Sequence, residues 1–309
     1  MLKIEKLTKI YPGEPPVNAL SDISLEMTEG LFGLLGPNGA GKSTLMKILA
    51  GLLEPTSGRV TLDGADLSNP QNRLRHFERL GYLPQDFGFH SHLTGERMLG
   101  FLLELKGVTG PKGRKALVSE LLERVNLADS ANRKLREYSG GMRQRLGIAQ
   151  ALAGDPRLVI VDEPTAGLDP EERLRFYRLL AELAVGRIIL LSTHIVEDVA
   201  TLCPKFAVIR KGKLVALTTP RDARESLKGQ IFEGVVEQSN LDTIREEYFV
   251  TQAMVYDGAN KVRLFLEKGS PPADFECVPP TLEDAYFISM KTENHLMGTG
   301  LNKASGGVL

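Results

Sequence analysis

The chain has 309 residues, about two domains' worth, and its 42% apolar and 25% charged residues are the mix of a folded globular protein. Its 38 Lys and Arg against 39 Asp and Glu leave a formal net charge of −1, so no net basic field points to nucleic acid. No apolar run approaches the ~20 residues of a membrane helix, and the charged first ten residues, with Lys3, Glu5, Lys6 and Lys9, lack a signal peptide's apolar core. The two cysteines, Cys203 and Cys277, suggest neither a disulfide framework nor a zinc site. A cytoplasmic-type chain with no anchor of its own is the expectation.

In chain order, residues 2–11 and 17–27 read as strands separated by a Pro- and Gly-bearing turn. Residues 31–35 form an almost wholly apolar run, as in a buried strand of a parallel sheet. A helix follows from about Gly41 to Gly51, then a strand at 59–62 turning at Asp63 and Gly64. From Thr94 to about Ala153 the pattern is helical, with apolar positions at Met98, Phe101, Leu102 and Leu105, then at Leu117, Leu121 and Leu122. Strand, helix and strand return at 158–161, 171–184 and 188–191, and this alternation predicts an α/β fold. A hairpin around Lys211 and Gly212 closes the region. Strands near 231–236 and 262–266 suggest a small α+β unit, and the last ~20 residues, without apolar period, read as a disordered tail.

Three segments carry chemistry. Residues 36–44, Gly36, Pro37, Asn38, Gly39, Ala40, Gly41, Lys42, Ser43 and Thr44, satisfy the phosphate-loop pattern between a buried strand and a helix. Glycines let backbone N–H groups converge on phosphate oxygens, Lys42 can reach the β- and γ-phosphates, and Ser43 is placed for Mg²⁺. The apolar strand at 158–161 delivers Asp162 and Glu163 to a sheet edge, where Asp162 can hold Mg²⁺ and Glu163 can polarise a water. Taken alone, that acidic pair also reads as a helix cap before Pro164. The third segment is Tyr138, Ser139, Gly140, Gly141, Met142, opening a helix with Ser139 as N-cap.

With these motifs in this order, residues 1 to about 220 resemble the ATP-binding cassette (ABC) family, as the nucleotide-binding subunit of a transporter. The resemblance implies a P-loop NTPase fold with a RecA-like, mostly parallel sheet core, an N-terminal antiparallel β subdomain and an inserted helical subdomain at about 86–153. The domain division it suggests is 1–220 for the cassette, 221–290 for a small C-terminal α+β extension, and 291–309 for the tail. It implies ATP and Mg²⁺ as ligands. Tyr11 would stack on adenine, and Gln85 would bind Mg²⁺ and the attacking water. Ser139, Gly140 and Gly141 would bind the γ-phosphate held by a second subunit, and Asp169 would lie across the dimer seam. His194 would contact the γ-phosphate, and Glu163 would be the general base. Tyr11 also fits an ordinary strand-end aromatic, and His194 a structural histidine.

The commonest family signature has Leu and Gln where this chain has Tyr138 and Met142. The resemblance also implies a separate integral membrane permease, docked through the loop from Gln85 to Leu93, and a homodimer held at the inner face of the cell membrane. His90 and His92 form a His-x-His pair with no third metal ligand nearby, which favours a partner-facing loop. The segment 279–286 is similar to a closing segment of single-domain ATPase subunits of prokaryotic exporters, which implies export rather than import, and it also reads as a Pro-initiated, Thr-capped helix. A soluble ABC-type ATPase that assembles or remodels other proteins shares every catalytic motif and is the alternative.

Overall fold

The computed structural model describes residues 1–256 and 258–291, so of the expected tail at 291–309 only Lys291 is described, and it ends a helix rather than opening a tail; the rest lies outside the described residues. Contacts divide the chain into two compact units, Met1–His194 with Lys211–Lys213, and Ile195–Arg210 with the residues from Leu214 on. This division follows packing and falls earlier than the expected boundary at residue 220.

In the first unit, strands Leu2–Tyr11, Val17–Met27, Ser57–Leu62 and Ala65–Asp66 form an antiparallel sheet. A second set is parallel, in the order Gly30–Leu35, Ile188–Thr193, Leu158–Asp162, Leu80–Leu83. Its central strands are apolar on both faces because both faces are covered, and every residue of Leu158–Asp162 and Ile188–Thr193 is buried. Each fully buried Leu or Ile there contributes about 1.5–3 kcal/mol of transfer free energy. Parallel pairing aligns the C-terminal ends of these strands, so Leu35, Asp162 and Thr193 finish at one edge.

The helical stretch is three helices, Gly95–Leu105, Arg114–Arg124 and Gly140–Leu152. The first buries Gly95, Met98, Leu99 and Leu103, while Phe101 and Leu105 are exposed, so the apolar face differs from the expected one. At the start of this helix a Cβ on Gly95 would stand 2.0 Å from the Tyr138 hydroxyl, so glycine lets that side chain approach closely. Helix Pro70–Glu78 and strand Leu80–Leu83 add to the expected elements. The Asn69 side chain caps that helix by accepting from the Gln71 and Asn72 N–H groups.

The second unit holds helix Val196–Leu202, strand Lys205–Arg210 and helix Pro220–Glu225, followed by a four-stranded sheet. Its antiparallel order is Phe249–Tyr256, Ala259–Phe265, Ile231–Val236, Phe275–Cys277. Val262 and Leu264 point into a core with Val236, Leu241 and Phe275, while alternation turns Arg263 to the opposite face and helix Leu282–Lys291. No helix among the described residues is long and apolar enough to cross a membrane.

Candidate active site

The strand Gly30–Leu35 runs into the glycine loop, and helix Lys42–Leu49 begins with Gly41 as its N-cap, at φ 109° and with no side-chain cap. A Cβ at Gly41 would stand 2.5 Å from the Ala19 carbonyl oxygen, so the loop approaches that strand as only glycine can. Uncapped N–H groups at a helix start, beside a lysine, suit phosphate oxygens. The Lys42 ammonium donates to the carbonyls of Gly36 at 2.6 Å and Pro37 at 3.3 Å, and lies 3.6 Å from Glu163 Oε1.

Glu163 follows its strand in the left-handed region, φ 46°, which is strained for a residue with a Cβ, and its N–H donates to the Ser192 carbonyl at 2.9 Å. The carboxylate is thereby held between two groups: Oε1 faces Lys42, and Oε2 lies 2.9 Å from His194 Nδ1. His194 directly follows the neighbouring strand Ile188–Thr193, which explains the meeting. Burial pushes the Asp162 carboxyl above its ordinary range, against the pull of Ser192, Lys42 and Ser43. Burial likewise holds the Lys42 ammonium below its own range, against Glu163 and Asp162. Both groups therefore sit where their charged forms are disfavoured.

An open cavity of about 390 Å³ is lined by residues 17–19, 37–44, Gln85, Glu163 and Lys211, with Asp162 outside that lining. Gly36 meets it only through its carbonyl on Lys42, and His194 through Glu163. Tyr11 does not line the cavity; Lys9 Nζ lies 5.4 Å from its ring centre. Ser139, Gly140, Gly141 and Asp169 do not line it either.

A family model described as ABC transporter matches residues 20–166. The chain is 33% identical over 302 residues to the uncharacterized ABC transporter ATP-binding protein YxlF of Bacillus subtilis (strain 168), spanning 93% of this chain and 98% of that one. The chain belongs to the ABC transporter ATP-binding proteins. It is also 39% identical over 227 residues to the Nod factor export ATP-binding protein I of Burkholderia orbicola, spanning 73% of each chain. To the methionine import ATP-binding protein MetN of Carboxydothermus hydrogenoformans it is 37% identical over 220 residues, 70% of this chain and 65% of that one. Among solved structures, a dimeric post-hydrolysis ATP-binding cassette, MJ0796, bound to ADP and Pi, superposes with a TM-score of 0.63 at 28% identity, covering 71% of this chain and 98% of that chain. The fold is thus the P-loop NTPase fold of ABC cassettes.

The departures from the ABC signature have a structural reading. Tyr138 is buried, and its hydroxyl donates to the Ser130 carbonyl at 2.8 Å. It packs against Gly95 at the start of helix Gly95–Leu105. Ser139 Oγ accepts from the Met142 N–H at 3.1 Å and caps helix Gly140–Leu152. Ser139 and Gly140 are exposed, whereas Gly141 is buried where a Cβ would stand 2.2 Å from Glu172 Oε2. Glu172 belongs to helix Pro170–Leu183, whose N-cap Asp169 accepts from the Glu172 N–H at 2.8 Å. Arg145 lies 3.5 Å from the same Glu172 carboxylate and donates to the Asn126 carbonyl at 3.1 Å. Glu172, Arg145 and Lys211 escaped the sequence reading. The Glu172–Gly141 contact joins helices distant in sequence, and the turn at Lys211 read only as a hairpin.

The His90 and His92 rings lie 5.8 Å apart, tilted to each other, with His90 also edge-on to Phe101. No group of three or more His, Cys, Asp or Glu residues suited to a metal occurs among the described residues.

Proposed function

We propose that this chain binds and hydrolyses ATP with Mg²⁺, working in a head-to-tail homodimer that drives a separate integral membrane permease from the inner face of the membrane. The observation that carries the hydrolytic reading is the Glu163 carboxylate, held between Lys42 and His194 in the cavity of the glycine loop. Phosphoryl transfer to water needs positioning and charge stabilisation rather than covalent help from the protein.

The loop N–H groups and Lys42 orient the phosphates, and Tyr11 carries the adenine. Glu163 accepts the proton of the attacking water, while His194 orients the carboxylate and contacts the γ-phosphate. Ser43, Asp162 and Gln85 are the oxygen donors that would hold Mg²⁺, which would supply charge neutralisation to the phosphates. Ser139, Gly140 and Gly141 act on the nucleotide of the partner subunit, with Asp169 at the seam. The exposure of Ser139 and Gly140, away from the chain's own cavity, supports that division of labour. We assign the direction as export on the segment at 279–286 alone, since the relatives are named for both directions.

Glu163→Gln tests the core of this reading. The variant should bind ATP, lose turnover and accumulate as an ATP-dependent dimer in size-exclusion chromatography; a wild-type rate would remove Glu163 as the base. Purification of the tagged chain from its own cells in mild detergent tests the permease. A stoichiometric companion with several membrane-spanning helices is expected, and soluble companions only would favour an assembly ATPase.

A further inference from the structure

We propose that Lys211 is a second nucleotide-binding cation, carried to the phosphate-loop cavity by a hairpin turn and directed at the phosphates nearest the nucleoside. The proposal rests on the nucleotide-binding reading above and adds a residue outside the motifs that support it.

Lys211 and Gly212 are the two residues between strands Lys205–Arg210 and Lys213–Thr218. Their φ angles of 48° and 75° are both positive, as a type I′ turn requires of its two central residues. The turn is fastened to the nucleotide cavity by its backbone. The Gly212 N–H donates to the Ala40 carbonyl at 2.8 Å, inside the glycine loop, and the Gly212 carbonyl accepts from Ser21 N–H at 2.8 Å. A Cβ on Gly212 would stand 2.7 Å from the Ala19 carbonyl oxygen, so the close fit depends on glycine there.

This anchoring fixes where the Lys211 side chain begins, and it lines the same cavity as Asn18, Asn38, Lys42 and Glu163. Lys211 is exposed and, among the described residues, makes no hydrogen bond or ion pair. Its position is also costly locally. The first central residue of a type I′ turn favours Asn, Asp or Gly, which tolerate positive φ, and a lysine gains nothing there from the turn itself. Lys42, in contrast, is buried and engaged with the Gly36 and Pro37 carbonyls and with Glu163. The turn is bonded to Ser21 and Ala40, so the Lys211 side chain starts on the side of the cavity lined by residues 17–19 and 40. A long, unpaired ammonium entering a phosphate cavity from that side matches the phosphates that ATP and ADP share.

The decisive variant is Lys211→Asn, because asparagine suits the turn better than lysine and the fold should be kept. Binding of ATP, ADP and adenosine to the full chain is measured by calorimetry, with the thermal midpoint of the ligand-free protein alongside. Affinity for ATP and ADP should fall together by roughly three- to tenfold, adenosine binding should be unchanged, and the midpoint should hold or rise. Lys211→Arg should restore ADP binding to near the wild-type level. Wild-type ATP and ADP affinities in Lys211→Asn would overturn the proposal, as would a loss accompanied by a lower midpoint or an equal loss of adenosine binding. Failure of the wild-type chain to bind ATP or ADP would instead overturn the nucleotide-binding reading itself.

Discussion

Each unit of this chain buries a cluster of opposite charges, and the two clusters treat those charges in opposite ways. At the glycine loop, burial drives Lys42 down and Asp162 up, both toward neutrality. In the second unit, burial also works against Asp284 and Arg263, but their mutual bonds outweigh it, so Asp284 is held low and Arg263 high, both toward charge. The difference is completeness of hydrogen bonding. Asp284 accepts from Arg263 Nη2, from the Thr281 N–H and hydroxyl, each at 2.8 Å, and from the Thr251 hydroxyl at 2.6 Å. Arg263 further donates to Glu233 at 2.9 Å and to the Pro279 carbonyl at 2.8 Å. Lys42 gives its hydrogen bonds to the neutral carbonyls of Gly36 and Pro37 and approaches the Glu163 carboxylate only to 3.6 Å. A completed network specifies one packing of helix Leu282–Lys291 on its sheet; an incomplete one leaves buried charge able to act on something else.

One substitution made in both places breaks or sharpens this contrast most strongly. Asp162→Asn should lower ATP turnover by about 100-fold or more while leaving stability unchanged or raised. The folded pKa of Asp162 lies above its unfolded value, so its ionised form costs stability at neutral pH, and asparagine carries no such cost. Asp284→Asn should do the reverse, costing about 3–5 kcal/mol by stranding Arg263. Urea denaturation and a phosphate-release assay on both variants decide it; equal stability losses would end the distinction. Because the folded pKa of Asp284 is depressed, its contribution is complete above the ordinary carboxylate value of 3.8 and is lost as pH falls below it.

A smaller effect is expected at the contact of the two helices that follow Ser139 and Asp169. Gly141→Ala pushes a methyl group against Glu172, at a cost of about 1–3 kcal/mol. Glu172→Ala should relieve part of that cost, because the clash is with the far end of that side chain. A double-mutant cycle read by thermal midpoint checks it, and simple additivity would show that the signature helix and the Asp169-capped helix are not coupled there.

What the sequence disclosed follows the same physics. The apolar strands and the glycine loop were legible because burial on both faces and a tight turn each demand particular residues in a row. Helix Pro70–Glu78 was not, since it carries no apolar stripe: Leu74 is exposed, and the residue it buries is His76, whose Nε2 meets the Leu49 carbonyl at 2.8 Å. Only the Asn69–Pro70 cap announced it. The edge strand Phe249–Tyr256 ends in exposed Met254, Val255 and Tyr256, which blurs the alternation a half-buried strand should show. At the site, the motif segments could be named in advance. The bonds from Gly212 to Ala40 and the packing of Gly141 on Glu172 could not, because they join residues distant in sequence.

Lys106 supplies a third case, a half-buried cation whose bonded partners are neutral. Its ammonium donates to the carbonyls of Ala153 at 2.6 Å and Leu80 at 3.1 Å, tying helix Gly95–Leu105 to the end of helix Gly140–Leu152 and the start of strand Leu80–Leu83. Burial alone brings its pKa down to about 8 from 10.5. Between those values the unfolded chain holds more protons than the folded one, so this residue makes the protein more stable as pH rises. Measured against Lys106→Met, the wild type should gain about 1 kcal/mol between pH 7.5 and 9.5 once solvent screening is allowed for. Such a gain would mean that two carbonyl oxygens do not replace a counter-charge, and that full pairing, as at Asp284, is what keeps buried charge in place. Parallel pH profiles for the two proteins would mean that carbonyl oxygens suffice, and the contrast between the clusters would then need a cause other than unfinished bonding.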